Sequence, residues 1–189
     1  MGWTQGMDWM NPPPQAEEAG GVLRVVTGDR QDFWRRTFYG FVHDDGHALL
    51  APTDGPFTAE ANFEADWQAQ YDQAGLMLRT DESQWVKAGV EHVNGMAHLA
   101  VVVTLGRSDW SQVALPGHKG AVSLRLTRVG DAVWVQYLTG AEWKMVRLAH
   151  YPADLPARVG PMTCSPSRAG LEVRFRDFRL GPPVSDRPY

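Results

Sequence analysis

The sequence predicts an all-β fold, an antiparallel β-sandwich built as a single domain. Apolar and polar residues alternate with a period of two along short runs, which is the pattern of half-buried strands. Gly and Pro residues fall between these runs as turn residues. The chain has 189 residues, 43% of them hydrophobic and 21% charged, enough for one domain with a buried core. We expect the domain to span residues 1–189, with a core from about 9 to 180 between Pro-rich ends.

The charge balance and the apolar pattern exclude several classes of partner. A net charge of −4 provides no basic field for a phosphate backbone, so we expect no nucleic-acid partner. No apolar run approaches the roughly 20 residues that span a bilayer, and the N-terminus shows no signal-peptide pattern. A cytoplasmic protein without a membrane partner is therefore expected. The single cysteine, Cys164, offers no metal-site spacing, and we expect neither a metal nor another cofactor.

The clearest element is a hairpin centred on Asn94 and Gly95. This pair favours a type I′ turn because both residues tolerate positive φ. The predicted register pairs Val90 with Leu99, Ala88 with Val101 and Val86 with Val103 on the core face, and Glu91 with His98, Gly89 with Ala100, Lys87 with Val102 and Trp85 with Thr104 on the opposite face. A slip of one residue would move every apolar side chain to water, so the register is well determined.

The preceding strand extends the predicted sheet. Residues 73–79 alternate in the same way, and a polar turn connects them to the hairpin. Counting back across that turn places Gln73 near Glu91 and Gly75 near Gly89. We therefore expect a three-stranded surface that brings together side chains from all three runs.

The sequence also predicts elements later in the chain. Further strands are expected at residues 121–129, 132–138 and 171–180, and a weak helical pattern lies at residues 63–71. In the last strand we expect Leu171, Val173, Phe175 and Asp177 on one face. The arginine-bearing strands are interpreted as the solvated outer sheet.

The outward face of the three strands is the first candidate site. Its predicted ligand-binding side chains are those of Gln73, Trp85, Lys87, Glu91 and His98. Carboxylate, amide and imidazole groups beside a Trp ring suit sugar hydroxyls and a stacked sugar ring. Glycines at 75 and 89 would leave a shallow floor for a ligand. The alternative is that Glu91 and His98 form an ordinary cross-strand pair.

An aromatic run and two loops supply the other candidate positions. Trp34, Arg35 and Tyr39 are predicted to contribute to ligand binding, since a planar guanidinium beside a Tyr suits carboxylate, phosphate or sugar groups. Residues 43–47 contain two histidines, but the Asp-Gly pair there indicates a turn rather than a metal site. Trp110, in the Ser108–Ser111 loop, is predicted either to line the wall of a ligand-binding site or to have a structural role in the loop. Trp143 and Arg147 are secondary candidates.

Several segments together resemble one known family. They are Asp32–Phe41 with Asp44–His47, Tyr71–Met77, Trp85–Glu91 and Ser108–Ser111. In order and spacing they are similar to the DUF1349 proteins over about residues 9–180. The resemblance implies a concanavalin A-like jelly-roll fold, and a link to sugar metabolism through a yeast relative named as a regulator of enolase. It implies no catalytic residues, and a function inferred from a shared fold is analogy.

Three hypotheses of function follow. The leading one is a domain that binds a small carbohydrate or sugar derivative on its concave sheet. The second is a sugar-active enzyme using Glu91 and His98 as an acid–base pair. A glycosidase needs two carboxyl groups, the Trp85–Glu91 strand carries only one, and Asp72 or Asp109 would have to supply the second. The third is a protein-binding regulator of sugar metabolism, with a metabolic enzyme as its partner. Separately, an exposed sheet edge could pair two copies in a homodimer.

Overall fold

The computed structural model describes residues 2–189, which form strands joined by turns and loops and contain no helix. The strands in these residues are β1 Asp8–Met10, β2 Gln15–Ala19, β3 Val22–Val26, β4 Phe33–Arg35, β5 Val42–Asp44, β6 His47–Thr53, β7 Phe57–Ala65, β8 Gln73–Asp81, β9 Gln84–Val93, β10 Met96–Leu105, β11 Ser108–Ala114, β12 Val122–Val129, β13 Ala132–Thr139, β14 Glu142–His150, β15 Ala157–Cys164 and β16 Glu172–Gly181. Residues 2–189 accordingly include no candidate membrane-spanning helix.

Two seven-stranded antiparallel sheets form the sandwich, which confirms the predicted all-β class. Sheet A has the order β1-β6-β15-β8-β9-β10-β11, and sheet B has the order β14-β13-β12-β7-β16-β3-β2. A short ribbon of β4 and β5 is separate from both. In sheet A, β15 joins two portions of the chain because it pairs with β6 on one side and β8 on the other.

Apolar residues are buried on both faces of sheet A. The main core lies between the sheets, where side chains such as Leu76 and Val90 of sheet A cluster with Phe63 and Phe175 of sheet B. A second cluster lies on the outer face of sheet A, under the ribbon. Its buried members are Phe33, Trp34, Ala48, Leu50, Met77, Trp85, Val102, Met162 and Cys164. The ribbon therefore acts as a partial third layer that covers part of the outer face.

The predicted hairpin and its neighbour have the expected register. Asn94 and Gly95 have φ values of 52° and 77°, as a type I′ turn requires. Every predicted pair between β9 and β10 is observed, including Glu91 with His98. The preceding strand also pairs as predicted, with Gln73 opposite Glu91 and Gly75 opposite Gly89.

Two predictions about other elements are wrong. The helical pattern at residues 63–71 is not a helix, because β7 runs through Ala65 and irregular structure follows it. Asp177 does not share the core face of the last strand. The pairing of β16 with β7 shifts between Phe175 and Asp177, and beyond this shift Phe178 is the buried residue.

Side chains of Asn11 and Arg79 tie the ribbon to the body of the sandwich. Asn11 Nδ2 donates to the Asp44 carbonyl at 2.8 Å and to the Gly46 carbonyl at 2.9 Å. Arg79 of β8 donates two hydrogen bonds to the Asp44 carboxylate, each 2.7 Å long. The buried His47 ring uses both nitrogens, since Nδ1 lies 2.6 Å from the Asn11 carbonyl and Nε2 accepts the Gly28 N–H at 3.0 Å. Burial lowers the pKa of His47, which keeps the ring neutral. The Arg79 and Asn11 contacts hold the ribbon over sheet A, and the His47 ring in turn holds Asn11.

Candidate functional site

A cavity of about 240 Å³ lies between the ribbon and the outer face of sheet A. Strands β8, β9 and β10 supply its floor, whereas β11, the ribbon and flanking loops supply its walls. The lining residues are Asp32, Trp34, Tyr39, Phe41, Tyr71, Gln73, Lys87, Glu91, Val102, Trp110 and Pro166. The cavity thus combines segments that are far apart along the chain.

The walls are largely aromatic. The Trp34 ring meets Trp110 at a centroid distance of 6.4 Å with an interplanar angle of 89°, and meets Tyr39 at 5.7 Å. Tyr71 packs edge-on against the other side of Trp110 at 6.5 Å. Edge-to-face contacts of this kind are favourable and hold each ring in a defined orientation. The walls are therefore preorganised to contact a flat or ring-shaped ligand.

The floor is polar and buried. The Lys87 ammonium group donates a hydrogen bond to Asp32 Oδ1 at 3.1 Å, and both side chains are largely shielded from solvent. Burial alone would lower the pKa of Lys87, but the charges of Asp32 and Glu91 outweigh it and leave that pKa raised. Cys164 Sγ lies 3.6 Å from the same Asp32 oxygen, and burial raises its thiol pKa well above the ordinary value. This cysteine is thus an inert part of the support.

Glu91 is the unusual carboxylate of the site. Only 6% of the residue is exposed, and burial raises its pKa to about 7, with the Lys87 charge opposing the shift and that of Asp32 adding to it. The indole N–H of Trp110 faces this carboxylate and acts to lower its pKa. However, Trp110 Nε1 is buried and has no acceptor in hydrogen-bonding geometry among the described residues. The Trp110 indole N–H is therefore an unused buried donor beside the Glu91 carboxylate.

Most of the predicted ligand-binding residues meet in this cavity. They are Trp34, Tyr39, Gln73, Lys87, Glu91 and Trp110. Trp85 was also predicted to bind a ligand, but it does not line the cavity. It lies on the predicted face of β9, but the Phe33 ring packs over it at 6.2 Å and only 1% of the residue is exposed. Trp85 supports the ribbon from below and cannot stack on a ligand in this structure.

His98 and Arg35 also lie outside the cavity lining. His98 is directly opposite Glu91 in the register, but its Nδ1 lies 3.0 Å from the Met96 carbonyl oxygen. The arrangement gives no support to an acid–base pair of Glu91 and His98. The backbone N–H of Arg35 donates to Ser108 Oγ at 2.9 Å, so this residue fastens the ribbon to β11.

The two strand glycines do not form a ligand floor. A Cβ at Gly75 would lie 2.1 Å from the Ala88 carbonyl oxygen, and one at Gly89 would lie 2.0 Å from that of Ala74. Neither glycine lines the cavity. Glycine is required at both positions because the backbones of β8 and β9 approach closely there.

The carboxylates proposed to accompany Glu91 are engaged elsewhere. Asp72 is fully buried and accepts hydrogen bonds from Arg168 Nη2 at 2.7 Å and Ser165 Oγ at 2.6 Å. Burial would raise the pKa of Asp72, but these hydrogen bonds leave it lowered. Asp109 is exposed and pairs with Arg147 at 3.0 Å. Asp32 is the second carboxylate in the cavity, and the sequence analysis missed it as a site residue.

The remaining predicted positions have structural roles. The residue 43–47 segment is the end of the ribbon and its turn, and the ring nitrogens of His47 are both occupied, as described above. In residues 2–189, no three His, Cys, Asp or Glu side chains converge in a way that could hold a metal ion. Trp143 stacks under the Arg125 guanidinium at 4.4 Å, away from the cavity. Tyr71, Phe41, Val102 and Pro166 join the lining without having been predicted.

Comparisons with known proteins place this fold and site in context. "Regulation of enolase protein 1" of Saccharomyces cerevisiae is 39% identical over 177 residues, covering 93% of this chain and 89% of the yeast protein. A crystal structure of a functionally unknown S. cerevisiae protein superposes with a TM-score of 0.92 at 38% identity, covering 96% of this chain and 99% of that one.

More distant structures share the fold alone. A xylan β-1,4-xylosidase from Bacillus halodurans has a TM-score of 0.66 at 19% identity, and the match covers 87% of this chain but 33% of the xylosidase. These similarities confirm the predicted concanavalin A-like jelly roll. The family model for DUF1349, described as a protein of unknown function, matches residues 9–183. The chain therefore belongs to the DUF1349 family.

Proposed function

We propose that this protein binds a small carbohydrate or sugar derivative in the cavity between the ribbon and sheet A. The observation that carries the proposal is the unused indole N–H of Trp110, in the wall, beside the Glu91 carboxylate of the floor. The Trp110 indole can only donate a hydrogen bond, and an ionised Glu91 carboxylate can only accept one. One hydroxyl group can satisfy both, because it donates and accepts at once.

The walls and the dimensions also suit a sugar ring. The volume of about 240 Å³ lies below the range of about 300–1,000 Å³ of pockets for drug-sized ligands, which favours a ligand of about one ring. The aromatic walls can contact the C–H faces of that ring, while Gln73 and Lys87 at the floor provide further polar groups. The xylosidase that shares this fold acts on a carbohydrate, which agrees with the proposal by analogy only.

Calorimetric titration with a panel of mono- and oligosaccharides tests the proposal. Trp110→Phe removes the indole N–H and retains an aromatic ring, and Glu91→Gln retains the shape but removes the charge. We expect each change to weaken binding roughly 2- to 13-fold, the effect of losing a hydrogen bond of about 0.5–1.5 kcal/mol. Trp143→Phe, away from the cavity, is the matched control. Absence of binding to the whole panel, or equal binding by all variants, would refute the proposal.

A second candidate function is catalysis on a sugar at the same site. The specific observation is that Asp32 and Glu91 both line the cavity and that the Glu91 pKa lies at about 7, where it can accept and return a proton. This hypothesis replaces the Glu91–His98 pair. It predicts turnover of a sugar substrate with a pH profile that changes in Glu91→Gln. Binding without turnover in the wild-type protein would exclude it for the sugars tested.

A third candidate is a regulatory role in the cytoplasm, supported by the name of the yeast relative. It predicts a complex with a metabolic enzyme such as enolase, or a homodimer. Co-purification with enolase and sedimentation velocity of the isolated protein test these two partners. A monomer that forms no complex with enolase would argue against this role.

A further inference from the structure

The aromatic wall of the cavity continues outward onto the protein surface. Phe38, Tyr39 and Phe41, here called the outer aromatic step, lie in the loop between β4 and β5 and are 94%, 51% and 43% exposed. Tyr39 and Phe41 are stacked with a centroid distance of 5.2 Å and an angle of 13°. Phe38 meets the edge of Tyr39 at 5.0 Å. Three adjoining aromatic rings thus remain accessible to water.

The backbone holds the outer aromatic step in place. Arg36 and Phe38 have φ values of 64° and 62°, a region that costs free energy for residues with a Cβ, and Gly40 has 77°. The loop is closed by the hydrogen bonds from Gly40 N–H to the Arg36 carbonyl at 2.8 Å and from Arg36 N–H to the Phe41 carbonyl at 2.7 Å. The Trp34 indole N–H donates to the Thr37 carbonyl at 3.0 Å. The exposed rings are therefore presented by a defined loop.

The outer aromatic step shares residues with the cavity. Tyr39 and Phe41 line it and are the two exposed members of its lining, so they mark its rim. From buried Trp34 through Tyr39 to Phe38, exposure rises along an unbroken series of ring contacts. A ligand in the cavity that extends past the rim would meet these rings next.

We infer that the site takes the end of an oligosaccharide, with the terminal ring in the cavity and the following ring on the outer aromatic step. The inference rests on the proposed function and narrows its ligand class. The cavity accommodates about one ring, its floor is formed by sheet A, and Tyr39 and Phe41 are the exposed residues of its lining, so we place additional rings over them. The C–H faces of sugar rings pack on aromatic rings by the same burial of apolar surface that operates elsewhere.

Matched pairs of sugars test this inference. We would titrate the whole protein with xylose and xylotriose, glucose and cellotriose, and N-acetylglucosamine and chitotriose. The trisaccharide of the recognised pair is expected to bind at least 5-fold more tightly than its monosaccharide. Phe38→Ala should remove most of that difference and leave monosaccharide affinity unchanged. Tyr189→Ala, at a residue that is 90% exposed in the C-terminal tail, is the matched control and should change neither.

The outcomes separate this inference from the proposed function. If the two members of a pair bind equally, or if Phe38→Ala has no effect on the trisaccharide, the chain-end inference is wrong while carbohydrate binding stands. If no sugar of the three pairs binds, both fail together. A concentration-dependent dimer that Phe38→Ala abolishes in sedimentation velocity would assign the exposed rings to self-association and overturn the inference.

Discussion

Lys87 and Asp32 form an ion pair in the lining of the cavity, with Nζ 3.1 Å from Oδ1. The lysine belongs to β9 in the middle of sheet A, and the aspartate immediately precedes the ribbon strand β4. The pair therefore joins the floor of the cavity to its wall, although the two residues are 55 positions apart in the sequence. A buried charge that loses its partner keeps its desolvation penalty, which makes this pair a sensitive point of the structure.

Asp32→Asn is expected to lower the free energy of unfolding by about 3 kcal/mol, because it removes the hydrogen-bonded counter-charge of the buried Lys87. Urea denaturation at pH 7 measures the change. Asp109→Asn, which breaks an ion pair at an exposed carboxylate, should cost less than about 1 kcal/mol. The double variant Asp32→Asn/Lys87→Met should recover part of the loss. Equal losses in Asp32→Asn and Asp109→Asn would contradict the assigned role.

Glu91 should make stability fall as the pH rises toward 8. Its folded pKa of about 7 lies above the ordinary value of 4.5, so between these values the folded state holds a proton that the unfolded state has released. The contribution is fully present below pH 4.5 and is lost as the pH passes through 7. Glu91→Gln should match the wild type near pH 5 and exceed it by roughly 2–4 kcal/mol at pH 8.

The comparison of wild type with Glu91→Gln isolates this effect from His47. The pKa of His47 is lowered by burial, so the unfolded state gains a proton first and stability falls as the pH drops below about 6.5. This His47-dependent change of stability with pH is the same in the wild type and in Glu91→Gln, so it cancels when their unfolding free energies are subtracted. A difference in unfolding free energy that stays constant from pH 5 to pH 8 would show that Glu91 titrates normally.

Gly89→Ala is expected to destabilise the fold by roughly 1–3 kcal/mol, since the new methyl group would press on the Ala74 backbone. Gly181→Ala is the control. A Cβ at Gly181 meets nothing within 4 Å, so that change should be nearly neutral. Thermal or urea unfolding of the two variants gives the comparison. If both behave alike, the close approach of β8 and β9 does not require glycine.

Arg168→Ala should lower the free energy of unfolding by about 3 kcal/mol, because Asp72 is fully buried and Arg168 donates to both of its oxygens. The matched control is Arg179→Ala, which removes an exposed pair with Asp177 and should cost less than about 1 kcal/mol. Urea denaturation of both variants measures the two losses in unfolding free energy. A small loss in Arg168→Ala would mean that Ser165 and the backbone amides satisfy Asp72 without it.

Local patterns in the sequence were sufficient for the three strands that form the cavity floor. Asn94 and Gly95 determined the turn. The alternation of apolar and polar residues then determined the cross-strand pairs from the turn back to Gln73. This is why Gln73, Lys87 and Glu91 were placed correctly on one face. By contrast, β15 has no regular alternation and contains Gly160 and Pro161, so its position inside sheet A was not predicted.

The rest of the site depends on contacts between distant segments. Alternation predicted the side of the sheet on which Trp85 lies, but not that Phe33 covers it. Asp32 carries no local signal for its pairing with Lys87, since each residue is unremarkable among its neighbours in sequence. The bulge before Asp177 likewise depends on the fit of β16 to β7. The periodicity of a strand predicts which side chains share a face of the sheet. Which segment covers that face, and which charges pair, depends on tertiary contacts.

The central place of β15 has a consequence for the order of assembly. A growing chain that has reached only His150 holds both β6 and the β8–β11 strands, but it lacks the strand that bridges them. Pro166 of the cavity wall follows that strand directly. Sheet A can therefore become continuous only after residues 157–164 have emerged, so its two portions stay unjoined until late in synthesis.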